Sequence, residues 1–314
     1  EMANGGAVYA GNIDGAVAAI QAKKPGTGTE VVVYQKVGIG HGGAWSNNPW
    51  LLEMPDPITR ATWDNYLCVS PKRAKALDAE LTGFTEVDYN KRVAKIVGAN
   101  GYTITLPIVV VPGMHNDVVA IATGFGRDKN VGRAAASDAT KGGKNAYPFT
   151  SFNGTNVEYY SGATVTKTDD KYEVAITQTH NSYENRPVVH EFTLEEFKKD
   201  PQALQKERAE EIGHYAGLPW EKHEHEGEAL ANPEMEENYR KNGTLYPDHP
   251  YEGVKWGMSI DLTTCTGCGA CVVGCMAENN VSVVGKYHVL RGHEMHWIRI
   301  DRYYSGMPDD PDTI

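Results

Sequence analysis

Through the first half of the chain, short runs alternate apolar with polar positions or are apolar throughout, and glycine, proline or asparagine ends each one. From Glu30, "EVVVYQKVGIG" is a β-branched run closed by glycines, which predicts a strand and a turn. "NNPWLLEMPDPITRATWDN" follows, with three prolines and two tryptophans, and reads as an ordered but irregular connection. "NYLCVS" predicts another strand. "PKRAKALDAEL" predicts a helix with Ser70 as N-cap and Pro71 at its first position. "VAKIVGANGYTITLPIVVV" reads as two strands around the Asn100-Gly101 turn, and "PGMHNDVVAIATGFGR" adds a turn, a strand and a glycine-rich loop. This order of strands around a short helix and a hairpin predicts a small closed β-barrel with one or two helices.

Residues 128–190 are rich in Gly, Ser, Thr and Asn; "ATVTK" and "YEVAIT" read as period-2 strands around an Asp-Asp turn. Residues 191–250 are polar and acidic. In "TLEEFKKD", Thr193 followed by Glu196 is a capping box that opens a short helix, and the remainder reads as a wrapping linker. The character then changes. "WGMSIDLTTCTGCGACVVGCMAENNVSVVGK" predicts a strand, a cysteine loop and a helix start. "EMHWIRIDRYY" predicts a strand with Ile298 and Ile300 on one face and Arg299 and Asp301 on the other. The sequence shows no internal repeat.

A length of 314 residues allows two domains of ordinary size. No apolar run approaches the ~18 residues of a membrane span, and the longest, "LPIVVVP", reads as a buried strand. A net charge of −11 argues against sequence-independent nucleic-acid binding. The acidity is uneven: Glu191 to Glu237 holds fourteen Asp/Glu against five Lys/Arg. Such a run is ordinarily a solvated face; its functional alternative is a docking surface for a basic partner such as a small cytochrome. The opening residues have neither the basic nor the apolar region of a signal peptide. The start on Glu1 and the polar ending "GMPDDPDTI" read as cuts in a longer polypeptide.

Four of the five cysteines fall in "CTGCGACVVGC", at Cys265, Cys268, Cys271 and Cys275. They are too close together to staple distant segments. Three thiolates at three-residue intervals curl around one face of an iron–sulfur cubane, and Gly267, Gly269 and Ala270 permit the tight turns. In this C-x2-C-x2-C-x3-C spacing the fourth cysteine serves a different cluster. Cys265, Cys268 and Cys271 are therefore candidate ligands of one [4Fe-4S] cluster, and Cys275, expected on a turn that points it away, a ligand of a second. The missing ligands would come from another segment or chain. Zinc is the rival, but its sites use two separated CxxC pairs or a pair with distant histidines. No C-x-x-C-H haem motif occurs, and flavin, nicotinamide and P-loop signatures are lacking. Cys68 reads as a small buried hydrophobe. His223 and His225 read as a solvated loop with metal binding as the alternative. His293 and His296 read as surface and packing residues, or as groups that tune a nearby cluster.

The cysteine segment closely resembles the start of the iron–sulfur domain in the B subunit of alternative complex III, a bacterial quinol:electron-acceptor oxidoreductase. "NNPWLLEMPDPITRATWDNYLCVSPKRAKAL" and "LPIVVVPGMHNDVVAIATGFGR" resemble the C-terminal domain of molybdopterin oxidoreductases, and "THNSYENRPVVHEFTLEEF" resembles that subunit's linker. The resemblance implies an α+β, mainly β chain. Residues 1–150 would form a double-psi β-barrel-like molybdopterin-oxidoreductase C-terminal domain serving as a cofactor-free scaffold. Residues 151–252 would be an extended acidic linker, and residues 253–314 the start of a [4Fe-4S] ferredoxin-like domain. It further implies [4Fe-4S] clusters, a [3Fe-4S] cluster in the complete subunit, and no molybdopterin. The implied partners are the rest of the same subunit with further cysteine motifs, a multihaem cytochrome c subunit, and membrane subunits that oxidise quinol. The implied place is the periplasmic face of the cytoplasmic membrane, with electrons passing toward cytochrome c-type or blue-copper acceptors. No catalytic residue is expected in this chain. The alternative reading is a fusion subunit of an active molybdopterin oxidoreductase.

Overall fold

The computed structural model describes residues 11–22, 28–79, 91–136, 143–183, 192–203, 206–207, 252–307 and 310–314. His223, His225 and most of the acidic stretch lie outside the described residues. The chain forms two units: Glu1–Glu184 with Cys265–Ile314, and Asn185–Thr264.

In the first unit a helix, α1 (Ile13–Ala22), precedes β1 (Thr29–Tyr34), α2 (Pro49–Glu53), β2 (Leu67–Val69) and α3 (Pro71–Ala76). Then come β3 (Arg92–Gly98), β4 (Thr103–Val110), β5 (Val118–Ala122), the short strands β6 (Ser151–Phe152) and β7 (Val157–Glu158), and β8 (Tyr160–Lys171). Six strands close a barrel in the order β1-β5-β2-β4-β3-β8. The β1–β5 and β2–β4 pairs are parallel; the β2–β5, β3–β4, β3–β8 and β1–β8 pairs are antiparallel.

Strand alternation decides what fills the barrel. Val31, Val33, Leu67, Val69, Ala94, Ile96, Leu106, Val119 and Ile121 form one buried cluster. Burying each Val, Leu or Ile contributes about 1.5–3 kcal/mol. The intervening Cys68 joins Val109 and Ala120 in a second cluster with Tyr66 and Val174.

The predicted local signals recur at the expected residues. Ser70 Oγ accepts from Arg73 N at 3.1 Å and caps α3 behind Pro71. Gly101, at φ 79°, turns the β3–β4 hairpin. The irregular connection contains one turn of helix, α2, because Asn48 Oδ1 accepts from Trp50 N and Leu51 N ahead of Pro49. In the second unit, α4 (Leu194–Lys199) carries the reciprocal Thr193–Glu196 capping box.

Three expectations change. Asp169 and Asp170 do not turn the chain but lie inside β8. Pairs Arg92–Lys171 and Ala94–Lys167 are two residues apart on β3 and four on β8, so a bulge absorbs the extra residues. β8 pairs with both β1 and β3, so the barrel draws on chain beyond residue 150. Finally, residues 252–264 and 293–304 contain no strand. The second of these still alternates exposed and half-buried residues, with Ile298 and Ile300 inward and Arg299 and Asp301 outward. The face assignment is that of a strand, but among the described residues no strand pairs with this segment. Among the described residues no helix is long and apolar enough to cross a membrane.

Candidate functional site

Cys265 and Cys268 lie in a loop; Cys271 and Cys275 lie on α5 (Ala270–Glu278). Two left-handed glycines curl the loop, Gly267 at φ 69° and Gly269 at φ 75°. Gly269 caps α5, and its carbonyl accepts from Val273 N at 3.0 Å. A Cβ at Gly269 would lie 3.0 Å from Met54 Sδ, and one at Gly267 would lie 3.6 Å from Pro57 Cβ. The loop therefore rests on the turn that follows α2.

The buried face of α5 explains this placement. Val272 and Met276, four residues apart, share one helix face and pack with Val281 against Trp50, Val283, Ile298 and Ile300. Cys271 and Cys275 have the same spacing. The helix continues through Cys275, so it does not turn away from Cys271 as the sequence reading has it, and the two share a helix face. Assignment of Cys275 to a second cluster is an inference from spacing, which the helix does not alter.

All four thiols are free; Cys265, Cys268 and Cys271 are exposed and Cys275 is half-buried. Asn279 Nδ2 donates to Cys275 Sγ at 3.5 Å. Among the described residues, no three His, Cys, Asp or Glu side chains converge closely enough to hold a metal ion. The test of fit is therefore donor chemistry. Four soft, unpaired sulfurs lie within eleven residues on a glycine-curled loop and a helix, and three are open to an incoming group. That donor set fits an iron–sulfur cluster.

Buried charges of the barrel hold the chain that follows α5. Glu53, at the end of α2, is 0% exposed. Its Oε1 accepts from Val284 N at 3.0 Å; its Oε2 accepts from Gly285 N at 2.7 Å and from Trp63 Nε1 at 3.2 Å. Burial, assisted by Glu294, holds the carboxyl pKa above its ordinary value, and these three hydrogen bonds oppose that rise. All three hydrogen-bond partners donate, which favours the carboxylate over the acid. The next residue begins α6 (Lys286–Val289), and Lys286 Nζ pairs with buried Asp64. Tyr172 donates to Asp64 Oδ2 at 3.0 Å and also bonds Lys286 Nζ.

A second anchor lies further along. Gln178 exchanges two hydrogen bonds with the Arg302 backbone, at 2.8 and 3.0 Å. Arg302 Nε donates to Ile58 O at 2.6 Å, and Arg299 donates to Thr177 O at 2.9 Å. His296 is half-buried; burial pulls its pKa down, opposed by Glu294 and assisted by Arg60 and Arg299. His293 is exposed and stacks on His288 with ring centroids 6.1 Å apart. Cys68 is buried in the barrel wall beside the Tyr34 hydroxyl at 3.8 Å, away from the cysteine loop in role and in element.

Glu53, Asp64, Tyr172 and Lys286 escaped the sequence reading. For Glu53 and Lys286 the signal is a lone acidic or lysine residue inside a mostly apolar run, as in "WLLEM" and "VSVVGKYHVL"; Asp64 and Tyr172 carry no such signal. Buried charges of that kind occur when paired or hydrogen-bonded, and the partners are remote in sequence.

No protein-family profile matches the chain. A stretch of 29 residues is 69% identical to the iron–sulfur cluster-binding subunit of menaquinone reductase from Nitratidesulfovibrio vulgaris (strain Hildenborough), covering 9% of this chain and 11% of that subunit. A stretch of 26 residues is 58% identical to the arsenate respiratory reductase iron–sulfur subunit of Chrysiogenes arsenatis, covering 8% of this chain and 87% of that sequence.

Proposed function

We infer that this chain is an iron–sulfur, electron-transferring subunit of an oxidoreductase, in keeping with the two subunits it matches. The finer reading we propose is a subunit of a membrane-bound quinol:electron-acceptor oxidoreductase of the alternative complex III type. The observation that carries it is the fusion in one chain of a C-x2-C-x2-C-x3-C loop with a closed barrel, the loop resting on the turn that follows α2.

A bound cluster supplies one-electron transfer at this site. Cys265, Cys268 and Cys271 would hold one [4Fe-4S] cluster as thiolates and Cys275 would ligate a second, with further ligands from another part of the same subunit. A [3Fe-4S] cluster belongs to the complete subunit in this reading. The glycines at 267 and 269 let the backbone approach the site, and α5 fixes Cys271 and Cys275 through Val272 and Met276. The barrel is a scaffold derived from the C-terminal domain of molybdopterin oxidoreductases and holds no pterin. The chain works at the periplasmic face of the cytoplasmic membrane. Quinol-oxidising membrane subunits deliver electrons, and a multihaem cytochrome c subunit passes them toward cytochrome c-type or blue-copper acceptors.

The test is low-temperature EPR on the intact preparation, with iron, molybdenum and haem quantified. Several interacting iron–sulfur signals with haem and no molybdenum are expected. Molybdenum with pterin would replace the scaffold reading by an active molybdopterin oxidoreductase, and zinc without iron would overturn the cluster itself. In C268S, loss of the signal from one cluster is expected; unimpaired electron transfer would leave only a structural role.

A further inference from the structure

We propose that Glu53 is a positioning residue for the iron–sulfur centre: its buried carboxylate fixes the chain that leaves the cysteine helix and holds the reduction potential of the adjacent cluster down. The proposal rests on the reading of Cys265, Cys268 and Cys271 as cluster ligands.

Three observations converge on this residue. First, Glu53 ties two parts of the chain together. It projects from α2 of the barrel unit and accepts both backbone N–H groups of Val284 and Gly285. Second, it adjoins the ligand loop. Met54, the next residue, packs on Gly269, which lies between Cys268 and Cys271. Trp50, one turn earlier on α2, packs with Val272 and Met276 of the helix bearing Cys271 and Cys275. Third, among the described residues no cation pairs with it. Its donors are an indole and two peptide groups, and the charged group that acts on it, Glu294, is another carboxylate.

A buried carboxylate that accepts three hydrogen bonds from neutral donors carries its negative charge, when ionised, in a medium of low polarisability. Coulomb energy there is several times its value in water. A cluster held by these cysteines would gain one unit of negative charge on taking up one electron. A fixed negative charge at this place opposes that gain, and burial and nearby charge are among the ways proteins set cluster potentials.

Charge and reach are separable by substitution. Glu53→Gln keeps the length and one accepting oxygen but removes the charge. Glu53→Asp keeps the charge but shortens the side chain by one methylene. In the full chain with its cluster, E53Q is expected to raise the EPR-monitored midpoint potential by about tenfold in the reduction equilibrium, about 59 mV for a one-electron couple. E53D is expected to leave the potential closer to that of the unsubstituted chain. In the iron-free chain, amide hydrogen exchange at Val284 and Gly285 is expected to accelerate in E53D, and more so in E53A. A potential in E53Q equal to or below that of the unsubstituted chain overturns the electrostatic role. Exchange in E53A no faster than in the unsubstituted chain overturns the anchor. A chain that yields no cluster signal before any substitution overturns the functional reading and the electrostatic role with it, while the exchange result decides the anchor alone.

Discussion

Lys286 Nζ lies 2.8 Å from Asp64 Oδ2, and the two side chains are 8% and 0% exposed. The lysine opens α6, just after the cysteine helix, and the aspartate precedes β2 of the barrel. The Tyr172 hydroxyl completes the group by donating to Asp64, and its ring lies 3.9 Å from Lys286 Nζ. Desolvating two charges is costly, so the pair contributes little net stability; its weight lies in the cost of breaking it.

Lys286→Met should therefore destabilise the chain strongly, because it removes the lysine from buried, ionised Asp64. The expected loss is about 3–5 kcal/mol, and replacing both partners by apolar residues should restore much of it. Urea unfolding of K286M, D64L and the double variant measures this. If the double variant loses as much as the two single losses together, the two residues do not act as a pair.

Two glycines between Cys265 and Cys275 allow a paired test. Gly269 has φ 75° and a Cβ position 3.0 Å from Met54 Sδ, whereas Gly274 lies inside α5 with nothing within 4 Å of its Cβ position. G269A should cost about 1–3 kcal/mol through left-handed strain, and removing the Met54 contact should recover only part of that. G274A should stabilise the iron-free chain by about 0.8–1.0 kcal/mol, since alanine favours a helix interior. Equal effects of the two would show that backbone conformation does not control the loop.

The sequence foretells best what local chemistry decides. Ser70 with Pro71, Asn100 with Gly101, and Thr193 with Glu196 each place a turn or cap where the structure has it. The alternation at Ile298 to Asp301 gives the buried face, but a ladder needs a neighbouring strand that alternation cannot name. At Asp169-Asp170 the turn chemistry was overruled by pairing with β3. The alanine-rich α1 carried no pattern of buried positions to announce it, and none of its residues is buried. Of the candidate site, the spacing names the cysteines. What stays hidden is the surface beneath them, because Glu53 to Gly285 and Asp64 to Lys286 join segments far apart in the chain.

Ser70→Ala removes the acceptor for Arg73 N at the start of α3. Loss of such a cap costs about 1 kcal/mol. A shift of the urea midpoint without a change in slope is expected. Pro71 stays in place and still pre-sets the first turn, so an unchanged midpoint would mean that it starts the helix without the serine.

Cys68 separates the buried thiol from those of the motif. It is 6% exposed, and burial, reinforced by Asp56, pushes its pKa from 9.0 up to about 12 against the opposing effects of Tyr34 and Lys36. Below pH 9 both folded and unfolded chains keep this proton. Between about 9 and 12 the unfolded chain releases it and the folded chain does not. The unfolded state then binds fewer protons, so stability falls as pH rises through that window. Two outcomes follow. In the iron-free native chain at pH 8, iodoacetamide should modify Cys265, Cys268 and Cys271 readily and Cys68 only after unfolding, because the thiolate is the nucleophile. Between pH 9 and 10, C68A should lose stability with a shallower slope than the unsubstituted chain. Buried Tyr34 and Tyr66, whose hydroxyls are also pushed up, continue the fall above pH 10 in both chains. Labelling of Cys68 at the rate of the motif cysteines, or identical slopes for the two chains, would show that the barrel wall admits solvent at β2.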